Sequence, residues 1–163
     1  PQFNHYILLD DNPGLNGTIP TQLGNLFNLT ELGLSNTTVQ GTIPTEFGFL
    51  HSLTKLFLNG TAIMGLLPSE LGLMASLESL YLSDSSISGA IPVELENTAN
   101  TLQNLELYST LLMGLIPEGL CSIPLLIFDC STVLCGCDCS CVVGSEGEVV
   151  SNQTFSTPNQ MLT

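Results

Sequence analysis

A short motif, Gly-x-(Ile or Leu)-Pro, recurs along this chain at an almost constant interval, and this repetition constrains the fold more than any other feature. Its glycines stand at positions 17, 41, 65, 89 and 114, which are 24, 24, 24 and 25 residues apart. The five copies are Gly17-Thr18-Ile19-Pro20, Gly41-Thr42-Ile43-Pro44, Gly65-Leu66-Leu67-Pro68, Gly89-Ala90-Ile91-Pro92 and Gly114-Leu115-Ile116-Pro117. A fixed period of this length predicts a solenoid, because one coil cannot bury its own apolar edge and must stack on the next.

Apolar residues follow each glycine at fixed offsets. The first three repeats contain Leu23, Leu26, Leu29, Leu32, Leu34 and Val39; Phe47, Leu50, Leu53, Leu56, Leu58 and Ile63; and Leu71, Met74, Leu77, Leu80, Leu82 and Ile87. The fourth contains Leu95, Leu102, Leu105, Leu107 and Leu112, with one extra residue between positions 97 and 100. The Leu-x-Leu pair predicts a short strand in a parallel sheet, with alternate side chains inward. The spacing after each proline predicts a short helix or 3-10 segment on the opposite side.

This pattern resembles the plant-type leucine-rich repeat of plant receptor ectodomains and polygalacturonase inhibitors, from Ile7 to about Cys130. The resemblance implies an α/β solenoid of about five to six coils. It implies a parallel β-sheet on the concave face, short helical or 3-10 segments on the convex face, and a second small sheet beside the Gly-x-Ile-Pro segments. The asparagine of the family's repeat is present only as Asn12. Later coils carry a hydroxyl there, at Thr37, Thr61, Ser85 and Thr110.

The cysteines are confined to the C-terminal part of the repeat array and its end. They are Cys121, Cys130, Cys135, Cys137, Cys139 and Cys141. An even, clustered set predicts a disulfide-rich C-terminal cap, and a metal-thiolate cluster is the alternative. Zinc sites use Cys-x2–4-Cys pairs rather than Cys-x-Cys, so we expect no metal and no cofactor. We divide the chain into a solenoid (1–130), a cysteine-rich cap (131–141) and a tail (142–163). An Asp-Cys and Cys-x-Cys terminus is similar to that of secreted algal and diatom leucine-rich-repeat proteins.

Five Asn-x-Ser/Thr sequons predict N-linked glycans. They begin at Asn16, Asn28, Asn36, Asn59 and Asn152. Sequons together with clustered cysteines favour an extracellular glycoprotein, either secreted or at the cell surface.

The charge balance excludes two classes of partner. The chain has 15 acidic residues and one basic residue, Lys55, for a net charge of −14. Binding to nucleic acid or to an anionic membrane requires clustered Lys and Arg. The chain also has no apolar run of the roughly 18 residues that a membrane span needs, so we expect no membrane insertion.

The exposed positions of the predicted strands are the candidate binding surface. They form one column of Glu31, Lys55, Ser79 and Asn104, a second of Leu8, Gly33, Phe57, Tyr81 and Glu106, and a third of Asp10, Ser35, Asn59, Ser83 and Tyr108. Within these columns we select Phe57, Tyr81, Tyr108, Glu31, Lys55 and Glu106 as candidate binding residues. Aromatic residues are favoured anchors at interfaces, although their preference for strands explains them equally.

Nothing in the sequence favours catalysis. The two histidines, His5 and His51, fall two coils apart on different sides of the predicted stack. Glu46, Glu70 and Glu94 share one phase of the repeat, which indicates a favourable interaction with the first turn of each helix rather than an acid–base role. We therefore expect no enzyme and no catalytic residues.

The two ends of the stack suggest alternatives. No cysteine-containing cap precedes Ile7, so an exposed sheet edge is expected there. Phe128-Asp129-Cys130 predicts a shortened last strand, and residues 148–155 have strand-like character. We expect a non-enzymatic interaction or structural scaffold whose partner is a protein, including copies of itself, or a glycan. The alternatives are a subunit of a head-to-tail extracellular filament and a ligand-recognition or enzyme-inhibitor domain.

Overall fold

The computed structural model describes residues 5–129, 131–134, 140–143 and 148–151. Its main sheet contains one short strand from each coil and two strands from the C-terminal end. The strands are β1 (Tyr6–Leu8), β3 (Glu31–Gly33), β5 (Lys55–Phe57), β7 (Ser79–Tyr81), β9 (Asn104–Glu106), β12 (Leu125–Asp129), β14 (Ser140–Val143) and β15 (Glu148–Ser151), in that spatial order. All neighbours are parallel except β14 and β15, which are antiparallel. The predicted solenoid with a parallel sheet is confirmed.

A second sheet, called the flank sheet below, is formed by the segments that precede and include each Gly-x-Ile-Pro motif. Its strands are β2 (Asn16–Thr18), β4 (Thr38–Gly41), β6 (Ala62–Leu66), β8 (Ser86–Gly89) and β10 (Leu111–Leu112). A two-stranded sheet of β11 (Gly114–Leu115) and β13 (Val133–Leu134) follows. The motif glycines have φ between +83° and +98°, a conformation in which glycine has no Cβ penalty.

The convex side consists of 3-10 helices of five or six residues. They are η1 (Thr21–Asn25), η2 (Thr45–Phe49), η3 (Ser69–Leu73), η4 (Val93–Thr98) and η5 (Glu118–Ser122). The proline of each motif directly precedes its helix, and its carbonyl accepts the first helical hydrogen bond, as from the Leu23 amide to Pro20 at 3.1 Å. The extra residue of the fourth coil is accommodated in the lengthened η4 and the turn after it. Glu46, Glu70 and Glu94 lie in the first turns of η2, η3 and η4.

The core is a single column of apolar side chains along the stack. The inward residues of the strands, such as Leu32, Leu56 and Leu80, have no exposed surface, and Phe47 and Phe128 are equally buried. Because neighbouring coils supply these contacts, the stack folds as one unit.

Hydroxyls occupy the place of the family's asparagine in the later coils. Asn12 Nδ2 donates to the carbonyls of Leu9 and Asp10 at 2.8 and 3.0 Å. The hydroxyls each donate to the carbonyl three residues earlier at 2.7 Å, in the pairs Thr37–Leu34, Thr61–Leu58, Ser85–Leu82 and Thr110–Leu107. A hydroxyl has one donor where the amide has two, so each satisfies one carbonyl.

The predicted shortening of the last coil's strand is wrong. β12 has five residues, whereas the other coil strands of the main sheet have three, because its first three residues pair with β9 and its last three pair with β14. The expected strand character near residue 148 is confirmed for Glu148–Ser151, and residues 152–155 lie outside the described ranges.

Candidate interaction surface

The exposed face of the main sheet, called the concave face below, carries the columns predicted from the repeat. The strand register aligns Glu31 with Lys55, Lys55 with Ser79, and Ser79 with Asn104. It also aligns Gly33, Phe57, Tyr81 and Glu106 in one row across the sheet. The fold therefore brings the six candidate binding residues onto one surface, and their role in binding stays a prediction.

Lys55 is neutralised on the concave face. Its Nζ lies 3.0 Å from Glu31 Oε1 on the neighbouring strand, and the two side chains are 40% and 31% exposed. Since Lys55 is the only basic residue of the chain, the remaining carboxylates on this face have no Lys or Arg partner within the protein. The face therefore presents negative potential to a partner.

Phe57 and Tyr81 form an aromatic platform at the middle of the concave face. Their ring centroids are 5.2 Å apart and their planes differ by 27°, a stacked arrangement between adjacent strands. Both are partly exposed. The predicted third member, Tyr108, lies on the next coil in the adjoining column, two residues after the partner of Tyr81, Glu106.

Carboxylates surround Tyr108. Burial raises the pKa of the Tyr108 hydroxyl above its ordinary value, and the negative charges of Asp84 and Glu106 raise this pKa further. Burial also raises the pKa of the Glu106 carboxyl. An acidic, partly desolvated region therefore adjoins the aromatic platform. A cationic group of a partner would be stabilised by these negative charges.

Gly33, beside this platform, is buried beneath the side chain of Asp10 from the preceding coil. The carboxylate of Asp10 lies over Gly33, where a side chain would collide with it, and Oδ1 accepts a hydrogen bond of 2.7 Å from the Ser35 amide. The sequence contains a sign of this contact, because Gly33 interrupts a column of larger residues. Leu8 and Phe57 are its neighbours in that column.

The flank sheet is the surface that sequence reasoning missed. Its segments, 13–20, 38–44, 62–68, 86–92 and 111–117, contain no Asp, Glu, Lys, Arg or His, although the chain carries a net charge of −14. Large apolar side chains are exposed on these segments, namely Met64, Leu66, Leu111, Met113 and Leu115, at 50–69%. This surface could have been recognised from the sequence, because ionisable residues occur at other positions of the repeat and never in these segments.

Comparison with known proteins identifies the family. The Leucine Rich Repeat family profile matches residues 28–50 and 76–98, which are two of the coils described above. The Arabidopsis thaliana BIR2 ectodomain is 34% identical over 69% of this chain and 58% of its own, with a TM-score of 0.65. The chain is a plant-type leucine-rich-repeat protein.

Two further structures similar to this leucine-rich-repeat protein differ in what they bind. The Arabidopsis receptor kinase HAESA, solved with the peptide hormone IDA and the co-receptor SERK1, is 29% identical over 80% of this chain and 22% of its own, with a TM-score of 0.72. A plant ice-binding protein is 26% identical over 80% of this chain and 42% of its own, with a TM-score of 0.67. This protein therefore spans 22–58% of the three compared chains. No curated protein matches its sequence.

The predicted glycosylation sites and cysteines of this leucine-rich-repeat protein lie partly within the described residues. Of the sequons, Asn16, Asn28 and Asn36 are exposed, Asn59 is half-buried, and Asn152 lies outside the described residues. Cys121 is disulfide-bonded. The side chains of the other five cysteines lie outside the described part, so the disulfide-rich cap stays a prediction.

The histidines lie apart. His5 precedes β1, and His51 follows η2, where its Nδ1 lies 3.2 Å from the Leu73 carbonyl oxygen. None of the helices among the described residues is long and apolar enough to cross a membrane.

Proposed function

We propose that this protein is a non-enzymatic extracellular glycoprotein that binds another protein through its concave face. The observation that carries the proposal is the stacked Phe57–Tyr81 pair, which is partly exposed beside the acidic region around Tyr108. Rigid aromatic side chains at the centre of a polar surface are frequent binding anchors. The HAESA structure with a bound peptide hormone supports a protein or peptide partner. A secreted enzyme is one class of such partner.

The binding proposal is tested by affinity capture from an extracellular fraction of the source organism. Tyr81→Ala with Tyr108→Ala removes two of the aromatic anchors, whereas Phe49→Ala removes an aromatic side chain that is 52% exposed on the convex side. We expect the unaltered protein and Phe49→Ala to retain the same partner and the double variant to lose it. Equal retention by all three proteins would contradict binding at this face.

The exposed sequons support the extracellular location, and we propose that they carry N-linked glycans. Asn36 already donates from Nδ2 to Asp11 Oδ1 at 2.8 Å, so a glycan there must share this amide. Asn28 is exposed on the turn after η1. Protein purified from its natural source should lose mass on enzymatic deglycosylation. An unchanged mass would remove the glycoprotein part of the proposal.

The head-to-tail filament is an alternative that an apolar recess at the first coil supports. The recess has a volume of about 460 Å³ and is lined by His5, Tyr6, Ile7, Asn25, Leu26, Phe27, Asn28 and Leu29. Phe27 is 58% exposed at its edge. Light scattering at increasing concentration should show growing assemblies that Phe27→Lys abolishes. A monomer at every concentration would exclude the filament.

Ice binding is a second candidate function, and the uncharged flank sheet is the observation that favours it. An ice surface is an ordered lattice without charge, so it cannot pair a side-chain charge that is desolvated against it. The similarity to a plant ice-binding protein supports this candidate. Thermal hysteresis and inhibition of ice recrystallisation by the unaltered protein would support it, and the absence of both would remove it.

A further inference from the structure

We infer that the flank sheet, rather than the concave or the convex face, is the surface with which this protein binds ice; the inference rests on the ice-binding candidate above. Acidic residues lie on both other faces, at Glu31 and Glu106 on the concave side and at Glu46, Glu70 and Glu94 on the convex side. On the flank sheet, strand after strand lacks any ionisable group. Among the three faces of the described coils, the flank sheet is the one that can approach a lattice of water without desolvating a side-chain charge.

The exposed side chains of the flank sheet are arranged in regular rows. The register places Thr18 beside Gln40 and Gln40 beside Ala62, and farther along the stack it places Leu66 beside Ser88 and Ser88 beside Leu111. Parallel strands repeat about every 4.8 Å across a sheet. The side chains in these rows differ in type, but their spacing along the stack is regular, and a periodic ligand can contact such a surface at regular intervals.

Contacts between coils hold these side chains in place. A Cβ at Gly41 would lie 3.0 Å from Thr18 Cγ2, a Cβ at Gly65 would lie 2.9 Å from Thr42 Cγ2, and one at Gly89 would lie 2.6 Å from Leu66 Cδ2. Thr18, Thr42 and Leu66, which follow the first three motif glycines, therefore pack over the glycine of the next coil, whereas a Cβ at Gly114 would have nothing within 4 Å. Threonine is also stiff at χ1 because it is branched at Cβ. Because these side chains are already fixed in the free protein, they lose less conformational entropy when a ligand binds.

The first coils of the flank sheet are polar, and the later coils combine apolar side chains with the serines of β8. Exposed threonines and amides, Asn16, Thr18, Thr38, Gln40 and Thr42, lie on the first coils, and exposed leucines and methionines lie on the later ones. Asn16 begins a sequon, but it lies in β2, the edge strand of the sheet. None of the strands β4, β6, β8 and β10 contains a sequon asparagine. The central strand β6, with Met64 at its middle, is therefore the position at which a new charge would disrupt the surface most.

The decisive experiment compares two lysine variants of similar exposure. Met64 is 50% exposed on the flank sheet, and Leu73 is 53% exposed on the convex side. We expect Met64→Lys to reduce thermal hysteresis at equal concentration by about tenfold, because an unpaired charge is costly against ice. We expect Leu73→Lys and the uncharged Met64→Ser to retain the activity. Matching unfolding temperatures would establish that all variants are folded.

The other outcomes of this experiment distinguish an error in the assigned surface from an error in the ice-binding function. Full activity in Met64→Lys, or an equal loss in Leu73→Lys, overturns the assignment to the flank sheet while ice binding itself stands. No activity in the unaltered protein overturns the ice-binding function and, with it, this surface. If the unaltered protein is a dimer that Met64→Lys converts to a monomer, the occupant of the sheet is a second copy of the chain and the inference is wrong.

Discussion

Gly48 lies against the backbone of Glu70 in the following coil, so closely that a Cβ at Gly48 would stand 2.8 Å from the Glu70 carbonyl oxygen. The same contact joins Gly24 to Glu46 and Gly72 to Glu94. Adjacent 3-10 helices on the convex side therefore approach at a distance that only glycine permits. The backbones of Glu46, Glu70 and Glu94 fill the space above these glycines, in addition to any interaction of their carboxylates with the first turns of the helices.

Substitution of Gly48 by alanine should destabilise the stack. The added methyl group must push two coils apart, and overpacking of this kind costs about 1–3 kcal/mol. Urea unfolding of Gly48→Ala measures the loss. Gly14→Ala is the matched control, because a Cβ at Gly14 has nothing within 4 Å. Equal stability of the two variants would contradict this close packing.

The buried hydroxyl of Thr61 should contribute to stability through its hydrogen bond of 2.7 Å to the Leu58 carbonyl. Thr61→Val preserves the shape and removes the donor, with an expected loss of about 1–2 kcal/mol. Thr61→Asn, which restores the residue found at Asn12, should be more stable than the valine variant because its amide can donate to the same carbonyl. The free energies of unfolding of the three proteins order the effects. A valine variant as stable as the natural protein would show that the bond contributes nothing.

Glu106 should make stability depend on pH in the direction opposite to most carboxylates. Burial raises its pKa in the folded protein above the ordinary value of 4.5. The folded state therefore holds the proton more tightly, and the stability that this contributes is present below pH 4.5 and is lost as pH rises through the higher folded pKa. Glu106→Gln should consequently be more stable than the natural protein at neutral pH, with the difference shrinking in acid. A constant difference across pH would contradict a raised pKa.

Removal of the Asp84 charge should lower the pKa of Tyr108. Burial is the largest cause of the raised pKa, so part of the elevation remains in Asp84→Asn, and the part due to Asp84 disappears. Alkaline titration of phenolate absorbance, with Tyr6→Phe and Tyr81→Phe as background, isolates Tyr108. Asp11→Asn, which removes a charge at the corresponding turn of the first coil, is the control. A Tyr108 titration that Asp84→Asn leaves unchanged would place the carboxylate farther away than the structure does.

The Glu31–Lys55 pair should contribute little to stability despite its length of 3.0 Å. Both side chains are partly exposed, so solvent screens the interaction, and a double-mutant cycle with Glu31→Gln and Lys55→Met should give about 0.2–1 kcal/mol. The coupling should weaken in high salt. A salt-independent coupling well above this range would show that the pair is shielded from solvent.

The body of the solenoid is predictable from the amino-acid pattern of a single coil. The phase of the repeat identifies the inward side chains, as with Leu56 and Leu58, and the rows of the concave face follow from the same phase. It also places a turn at each glycine and a short helix after each proline. These features are predictable because each depends on residues within a single coil, and the repetition of that coil makes the pattern evident.

The way in which neighbouring coils meet depends on contacts that form in the folded stack. The contact of Gly48 with Glu70, the stacking of Phe57 on Tyr81 and the packing of Thr42 over Gly65 each join residues of different coils, so no pattern within one coil specifies them. The length of β12 depends on its pairing with β14, from beyond the repeats. The absence of charge from the flank sheet became a surface property only when the second sheet brought five separate segments together.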